Sequence, residues 1–106
     1  MLAVRKGCVY CEKSVPFYRR MEQLQAERRL NASLIAAAPD EGPEAAGWWG
    51  GHNLTTPLLE PVSLASLHVS GTPTLLLVDR AGILKRYWVG QLSEREEAEV
   101  LSAVSR

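Results

Sequence analysis

The sequence predicts a single α/β domain, residues 1–106, built on a four-stranded mixed sheet flanked by helices. Three observations predict it. Short apolar runs alternate with stretches of helical spacing, giving the order β-α-β-α-(short helix)-β-β-α. The first two strand-like runs are joined through a helix, which requires a right-handed crossover and parallel pairing. The last two are separated only by the turn "DRAG", which makes them antiparallel. A chain of 106 residues is long enough to bury a core in one compact unit.

The elements follow in order. "LAV" (Leu2–Val4) is a short apolar strand. From Val9 to about Arg29 the pattern is helical. Ser14, Phe17, Tyr18, Met21, Leu24 and Gln25 share one face, with Arg19, Arg20, Arg28 and Arg29 off it. Pro16 removes a backbone donor and kinks the first turns. "NASLIAAAP" reads as a second strand centred on Leu34 and Ile35. "DEGPEAAGWWGGHN" reads as a helix capped by Asp40, with Pro43 in the first turn and Gly50-Gly51 at its end. "TTPLLEP" reads as an extended connection, and Pro61 starts a short helical pattern through Leu64, Leu67 and His68.

"TPTLLLVD" (Thr72–Asp79) is an unbroken apolar run, suited to a strand buried on both faces. Gly82 supplies a positive φ in the turn that follows. "ILKRYWV" (Ile83–Val89) is the last strand, in which Tyr87 and Trp88 point to opposite faces. "SEREEAEVLSAV" is a helix with a capping box from Ser93 to Glu96 and an inner stripe of Ala98, Leu101 and Val104 or Ser105.

Composition narrows the function. Twelve basic residues balance twelve acidic ones, and no positive cluster offers a nucleic-acid surface. No run approaches the roughly 20 apolar residues that span a bilayer. Two cysteines are too few for a disulfide scaffold or an all-cysteine zinc site. His52 and His68 have no ligand-like spacing to the cysteines, so neither metal nor cofactor is expected.

Both cysteines lie in "KGCVYCEKSVPFYRR", with two residues between them. Cys8 falls after the first strand, at the mouth of a helix, where unpaired backbone N–H groups and the helix dipole stabilise a thiolate. Its pKa is expected below the free value of about 8.5, with Arg5 and Lys6 pushing the same way. Cys11, one turn deeper, is expected to be less exposed. One reactive thiol beside a second that can close a ring with it is the requirement of thiol–disulfide exchange. A CxxC at a strand-to-helix junction in a βαβ unit is a strong form of that signal.

Beyond this point the sequence resembles a known family. "HVSGTPTLLLVDRAG" followed by "YWVGQLS" resembles the second half of the thioredoxin fold, and Pro16, five residues after Cys11, matches its helix-kinking proline. The resemblance implies a monomeric bacterial thiol–disulfide oxidoreductase with Cys8 as nucleophile, Cys11 as resolving thiol and Pro73 as the cis-proline shaping the groove. Thr72 would pair with an extended substrate strand. Gly90 would leave room for the partner. Tyr10 matches the tyrosine of the glutaredoxin CPYC motif, and Trp48, with Trp49, could dock a partner.

The longer stretch between Asp40 and Val69 is similar to extracytoplasmic thioredoxin-like proteins that serve cytochrome maturation and disulfide reduction. Their pattern implies a domain of a longer exported protein and a periplasmic location; otherwise the chain is cytoplasmic. Partners would be protein or small-molecule disulfides and dithiols.

The sequence departs from thioredoxin in three places. Gly7 stands where tryptophan is usual, and Val9-Tyr10 replaces Gly-Pro. The first strand lacks an acidic residue, leaving Glu12 and Glu60 as the candidate bases for Cys11. Three alternatives stay open: a glutathione-dependent, glutaredoxin-like reductase, a non-catalytic module binding through the groove beside Pro73, and a metal carrier.

Overall fold

The computed structural model describes residues 1–39 and 42–106. The elements are β1 (Leu2–Ala3), α1 (Val9–Lys13), α2 (Val15–Ala26), β2 (Ala36–Ala37), α3 (Gly42–Gly51), β3 (Leu58–Leu59), a 3-10 turn (Ala65–Leu67), β4 (Thr74–Val78), β5 (Leu84–Val89) and α4 (Glu94–Val104). The sheet order is β3-β2-β1-β4-β5. β2 is parallel to both β1 and β3, whereas β4 is antiparallel to both β1 and β5. The expected mixed sheet between helices is present.

It has five strands, not four. "TTPLLEP" contains β3, whose Leu58 and Leu59 stand opposite Ala36 and Ala37. Pro57 and Pro61 bracket this pair and give the stretch the look of a connection. An edge strand tolerates such neighbours because only one of its sides needs ladder hydrogen bonds. Ala36 N–H donates to Pro57 O at 2.8 Å and Ala38 N–H to Leu59 O at 3.1 Å. The second strand also shifts, from its expected centre at Leu34–Ile35 to Ala36–Ala37. Ala36, Ala37 and Ala38 expose no surface, and their small side chains fit between two strands and two covered faces.

One long helix was expected from Val9 to Arg29; two short ones form. Ser14 sits at the break, its N–H shared between Tyr10 O and Cys11 O at 3.1 Å each. Pro16 falls in the first turn of α2, where a missing N–H costs nothing. Ser14, Phe17, Tyr18 and Met21 are buried as expected, and Val15 with them, but Gln25 is exposed. α4 carries the expected capping box, with Ser93 Oγ accepting from Glu96 N–H and Glu96 Oε1 from Ser93 N–H. Its buried stripe is Val100 and Val104; Ala98, expected inside, is exposed. The branched residues take the inner face because they remove more apolar surface from water than alanine does.

Leu2, Val4, Met21, Leu75, Trp88 and Val100 belong to one hydrophobic core. Tyr87 is 64% exposed while Trp88 is 6% exposed, the alternation expected of β5. The run in β4 is less enclosed than expected. Thr74, Leu75 and Leu76 are buried, but Val78 at its end is exposed. Gly82 has φ +81 in the β4–β5 turn, as the turn chemistry required.

α3 holds the double tryptophan. Trp49 is buried, donates from Nε1 to Thr56 O at 2.8 Å and lies 6.3 Å from the Tyr18 ring. The Asp40 cap expected for α3 lies outside the described residues. Glu22 of α2 accepts from the N–H groups of Thr55 and Thr56 and from the Thr56 hydroxyl, tying the entry of β3 to α2.

Candidate active site

Spacing alone brings the two cysteines together. Cys8 is the N-cap of α1, and Cys11 is its N3 residue. An N-cap side chain accepts from the N–H two or three residues ahead. Here Cys11 N–H donates to Cys8 Sγ at 3.2 Å, so two intervening residues place one cysteine's amide on the other's sulfur. Gly7 sets up the entry. Its φ is +78, a conformation that the tryptophan expected from thioredoxins would adopt only under strain.

The second wall comes from the loop before β4. The Thr72–Pro73 peptide is cis, as is Glu60–Pro61. Thr72 Oγ1 donates to Cys8 Sγ at 3.4 Å, and the Cys8 thiol donates to Thr72 O at 3.5 Å. Pro73 is fully buried beneath them. Gly90 N–H donates to Pro73 O at 2.7 Å, which locks the end of β5 to this loop. Gly90 is required by its φ of +86; a Cβ there would meet nothing within 4 Å. Within this chain the constraint on Gly90 is therefore its backbone conformation.

The two thiols are chemically unequal. Both are free, Cys8 partly exposed and Cys11 fully buried. Burial pushes the Cys8 thiol up, but hydrogen bonds from Cys11 and Thr72 and from the backbone of Cys11 and Tyr10 outweigh it. The net result lies below the ordinary thiol value. Lys6 reaches toward Glu44 at 3.7 Å, and the lowering comes from hydrogen bonds rather than from the expected cations. Burial and the neighbouring Cys8 push the Cys11 thiol up to about 12.

Tyr10, between the cysteines, is 56% exposed, and Lys13 Nζ lies 5.7 Å from its ring centre. Val9 is equally open, so two apolar side chains flank Cys8 at the surface. Trp48 sits elsewhere in the network. It is half-buried, packed on Trp49 at 6.0 Å and edge-on to His52 at 5.5 Å. The structure thus gathers Cys8, Cys11, Thr72, Pro73 and Gly90, with Tyr10 on the rim.

Sequence reasoning named Thr72 for its backbone and missed its hydroxyl as a partner of the sulfur. The residue type was the available signal, since a hydroxyl one residue before the groove proline can reach across it. Among the described residues no three His, Cys, Asp or Glu side chains gather into a metal-binding group. No described helix is long and apolar enough to cross a membrane. A concavity of about 690 Å3 lies at the other end of β1 around Met1, Leu30, Val78 and Arg106, and neither cysteine lines it.

Comparison with solved structures agrees with this architecture. A Chlorobium tepidum protein described as a thiol:disulfide interchange protein DsbE superposes with a TM-score of 0.76 at 22% identity, over 96% of this chain and 76% of its own. A thiol-disulfide isomerase from Corynebacterium glutamicum gives 0.74 at 18% identity, over 98% and 77%. StoA from Bacillus subtilis gives 0.69 at 15%, over 93% and 78%. No protein-family model and no curated protein matches the sequence. The chain has the thioredoxin-like fold.

Proposed function

We propose that this chain is a thiol–disulfide oxidoreductase working through Cys8 and Cys11. The observation that carries the reading is the inequality of the pair. A partly exposed sulfur accepts hydrogen bonds from Cys11 N–H and the Thr72 hydroxyl, directly beside a buried thiol held protonated. The first sulfur is poised as thiolate and the second is kept out of reach of solvent.

The reaction follows from that. The Cys8 thiolate attacks a substrate disulfide, and one substrate sulfur leaves as a thiolate that takes a proton from water. Cys8 is now joined to the other substrate sulfur. Cys11 loses its proton and attacks Cys8 Sγ, forming the Cys8–Cys11 disulfide and releasing the second substrate thiol. Two electrons pass from the dithiol to the substrate disulfide; the reverse sequence oxidises a substrate dithiol. Both cysteines move between thiol and disulfide without metal or organic cofactor.

Substrate would lie across Thr72 and Pro73, pairing with the Thr72 backbone as an added strand. Val9 and Tyr10 supply an apolar rim, which suits a cysteine in an unfolded or extended protein segment. Trp48 makes core contacts with Trp49 and His52, so we assign rim contact to Tyr10 in preference to Trp48. Direct support comes from a trap. Cys11→Ser, incubated with a disulfide-containing peptide, is expected to accumulate a peptide adduct on Cys8, read by mass. Cys8→Ser is expected to give none. Equal labelling of the two variants, or of neither, would contradict the assignment.

A further inference from the structure

β1 lies at the centre of the sheet, between β2 and β4. It pairs with β4 at Ala3–Thr74 and Leu2–Leu75. Met1 adds the outermost pair: its amine donates to Leu76 O at 2.7 Å, and its carbonyl accepts from Leu76 N–H at 2.8 Å. β4 runs on past that pair through Leu77 and Val78. On the other side Leu2 N–H donates to Ile35 O at 2.8 Å, and residues 31–34 extend ahead of β2. Both neighbours of the central strand therefore reach further than it does.

The space between those neighbours is the concavity of about 690 Å3 at this end of β1. Residues 31–34 line one side and residues 75–80 the other, while Met21 of α2 and Val100 and Val104 of α4 reach it from the core. The peptide groups on its walls are aimed for pairing. Leu76 bonds toward β1, and Asp79 N–H turns the other way, to Ile83 O at 3.0 Å. Alternation along the strand then turns Val78 toward β1, in phase with Leu76. Across the gap, Ala36 and Ala38 donate toward β3, so Ile35 faces β1. Backbone edges with apolar side chains behind them are the form of site that takes an added strand.

The Met1 amine says how such a strand is attached. It occupies a ladder position against Leu76 O, and burial pushes its pKa below the ordinary value. A charge taken out of water is costly. A peptide N–H at the same point makes the same bond to Leu76 O and brings no charge. A separate peptide lying in the gap would set its own terminal carboxylate against this ammonium, a second charge to desolvate. A covalent continuation of β1 carries neither cost, and it extends the β1–β4 ladder that is already formed.

We infer that this concavity seats an extended apolar segment joined to the nitrogen of Met1, which lengthens β1 by about three residues between β4 and residues 31–34. Its side chains alternate with those of β1. Leu2 belongs to the core, so the residue joined to Met1 points to the same face and meets Met21, Val100 and Val104. Its carbonyl accepts from Ile35 N–H, and the residue before it pairs with Val78. A strand enclosed between two others is apolar on both faces. The inference is independent of the exchange reading, because it concerns the end of β1 opposite Cys8.

The test begins with the protein purified from its source cells, its N-terminal peptide read by mass. Residues joined ahead of Met1 are expected; a native start at Met1 would overturn the inference. Amide hydrogen exchange then compares that protein with the 106-residue chain. The Ile35 and Val78 amides are expected to exchange at least about tenfold more slowly in the native protein. Equal exchange at both positions, or added protection only at the outer edges of β3 and β5, would overturn it. A third comparison reads the site alone. The 106-residue chain is extended at Met1 by Val-Thr-Val or by Gly-Ser-Gly, and the urea midpoints are measured. Val-Thr-Val is expected to raise the midpoint over Gly-Ser-Gly by about 1 M, from burial of its two valines. Equal midpoints would contradict the seat. The same gain from free Val-Thr-Val peptide would contradict the covalent connection.

Discussion

Thr72 is the residue on which the reactivity of Cys8 turns. Its hydroxyl donates to the sulfur at 3.4 Å, and hydrogen bonds to a charged acceptor stabilise the charged form. Thr72→Val keeps the shape and removes the donor. The thiolate fraction falls as pH drops through the Cys8 pKa, so raising that pKa lowers reactivity at neutral pH. Alkylation of Cys8 by iodoacetamide at pH 7 is expected to slow by about three- to tenfold, one pKa unit being tenfold in thiolate below the pKa. The midpoint of its pH profile should move upward. An unchanged profile would mean that Cys11 N–H alone sets it. At this scale the sequence was most legible where chemistry is local. Cys8 and Cys11 could be paired because N-cap and N3 are three residues apart in any helix. The Thr72 hydroxyl could not be placed, because its contact with Cys8 spans 64 residues and depends on how β4 is docked.

The elements differ in how plainly the chain encodes them. α4 is explicit: Ser93 and Glu96 form their reciprocal caps by local geometry, and the structure has both bonds. Ser93→Ala is expected to cost about 1 kcal/mol of stability, seen as a lower urea midpoint with unchanged slope. An unchanged midpoint would show that docking of Val100 and Val104, rather than the cap, holds the helix start. The short strands are the opposite case. β1, β2 and β3 are two residues each, too few for alternation to show. β2 is two alanines, a residue with poor strand preference, and becomes a strand because both neighbours supply partners. The prolines around β3 and the polar look of "TTP" concealed a strand that tertiary anchoring by Glu22 and Trp49 creates. The helix break at Ser14 was half legible: Pro16 signalled a disturbance, but not that α2 would restart around it.

For the whole molecule, the fold brings three distant stretches to one end of the sheet. β1 delivers Cys8, the loop into β4 delivers Thr72 and Pro73, and the end of β5 delivers Gly90. β1 is central, with β2 on one side and β4 on the other, so the cysteine helix is held from both directions. The sequence foretold this assembly because each stretch carried its own signature: a CxxC, a TPT step and a glycine after a strand. It could not foretell how unequally the two sulfurs are enclosed, since Cys11 is fully buried and Cys8 partly exposed only once the helix is docked on the sheet. The measurement that tests the central claim most directly is the reduction potential of the Cys8–Cys11 pair, obtained by equilibrating the protein in graded dithiol buffers and counting alkylated thiols by mass. A reversible two-electron midpoint between about −120 and −270 mV is the result expected of an exchange catalyst, and its position would indicate the favoured direction of electron flow. A midpoint below about −300 mV, or no reversible pairing of the two sulfurs, would contradict the account.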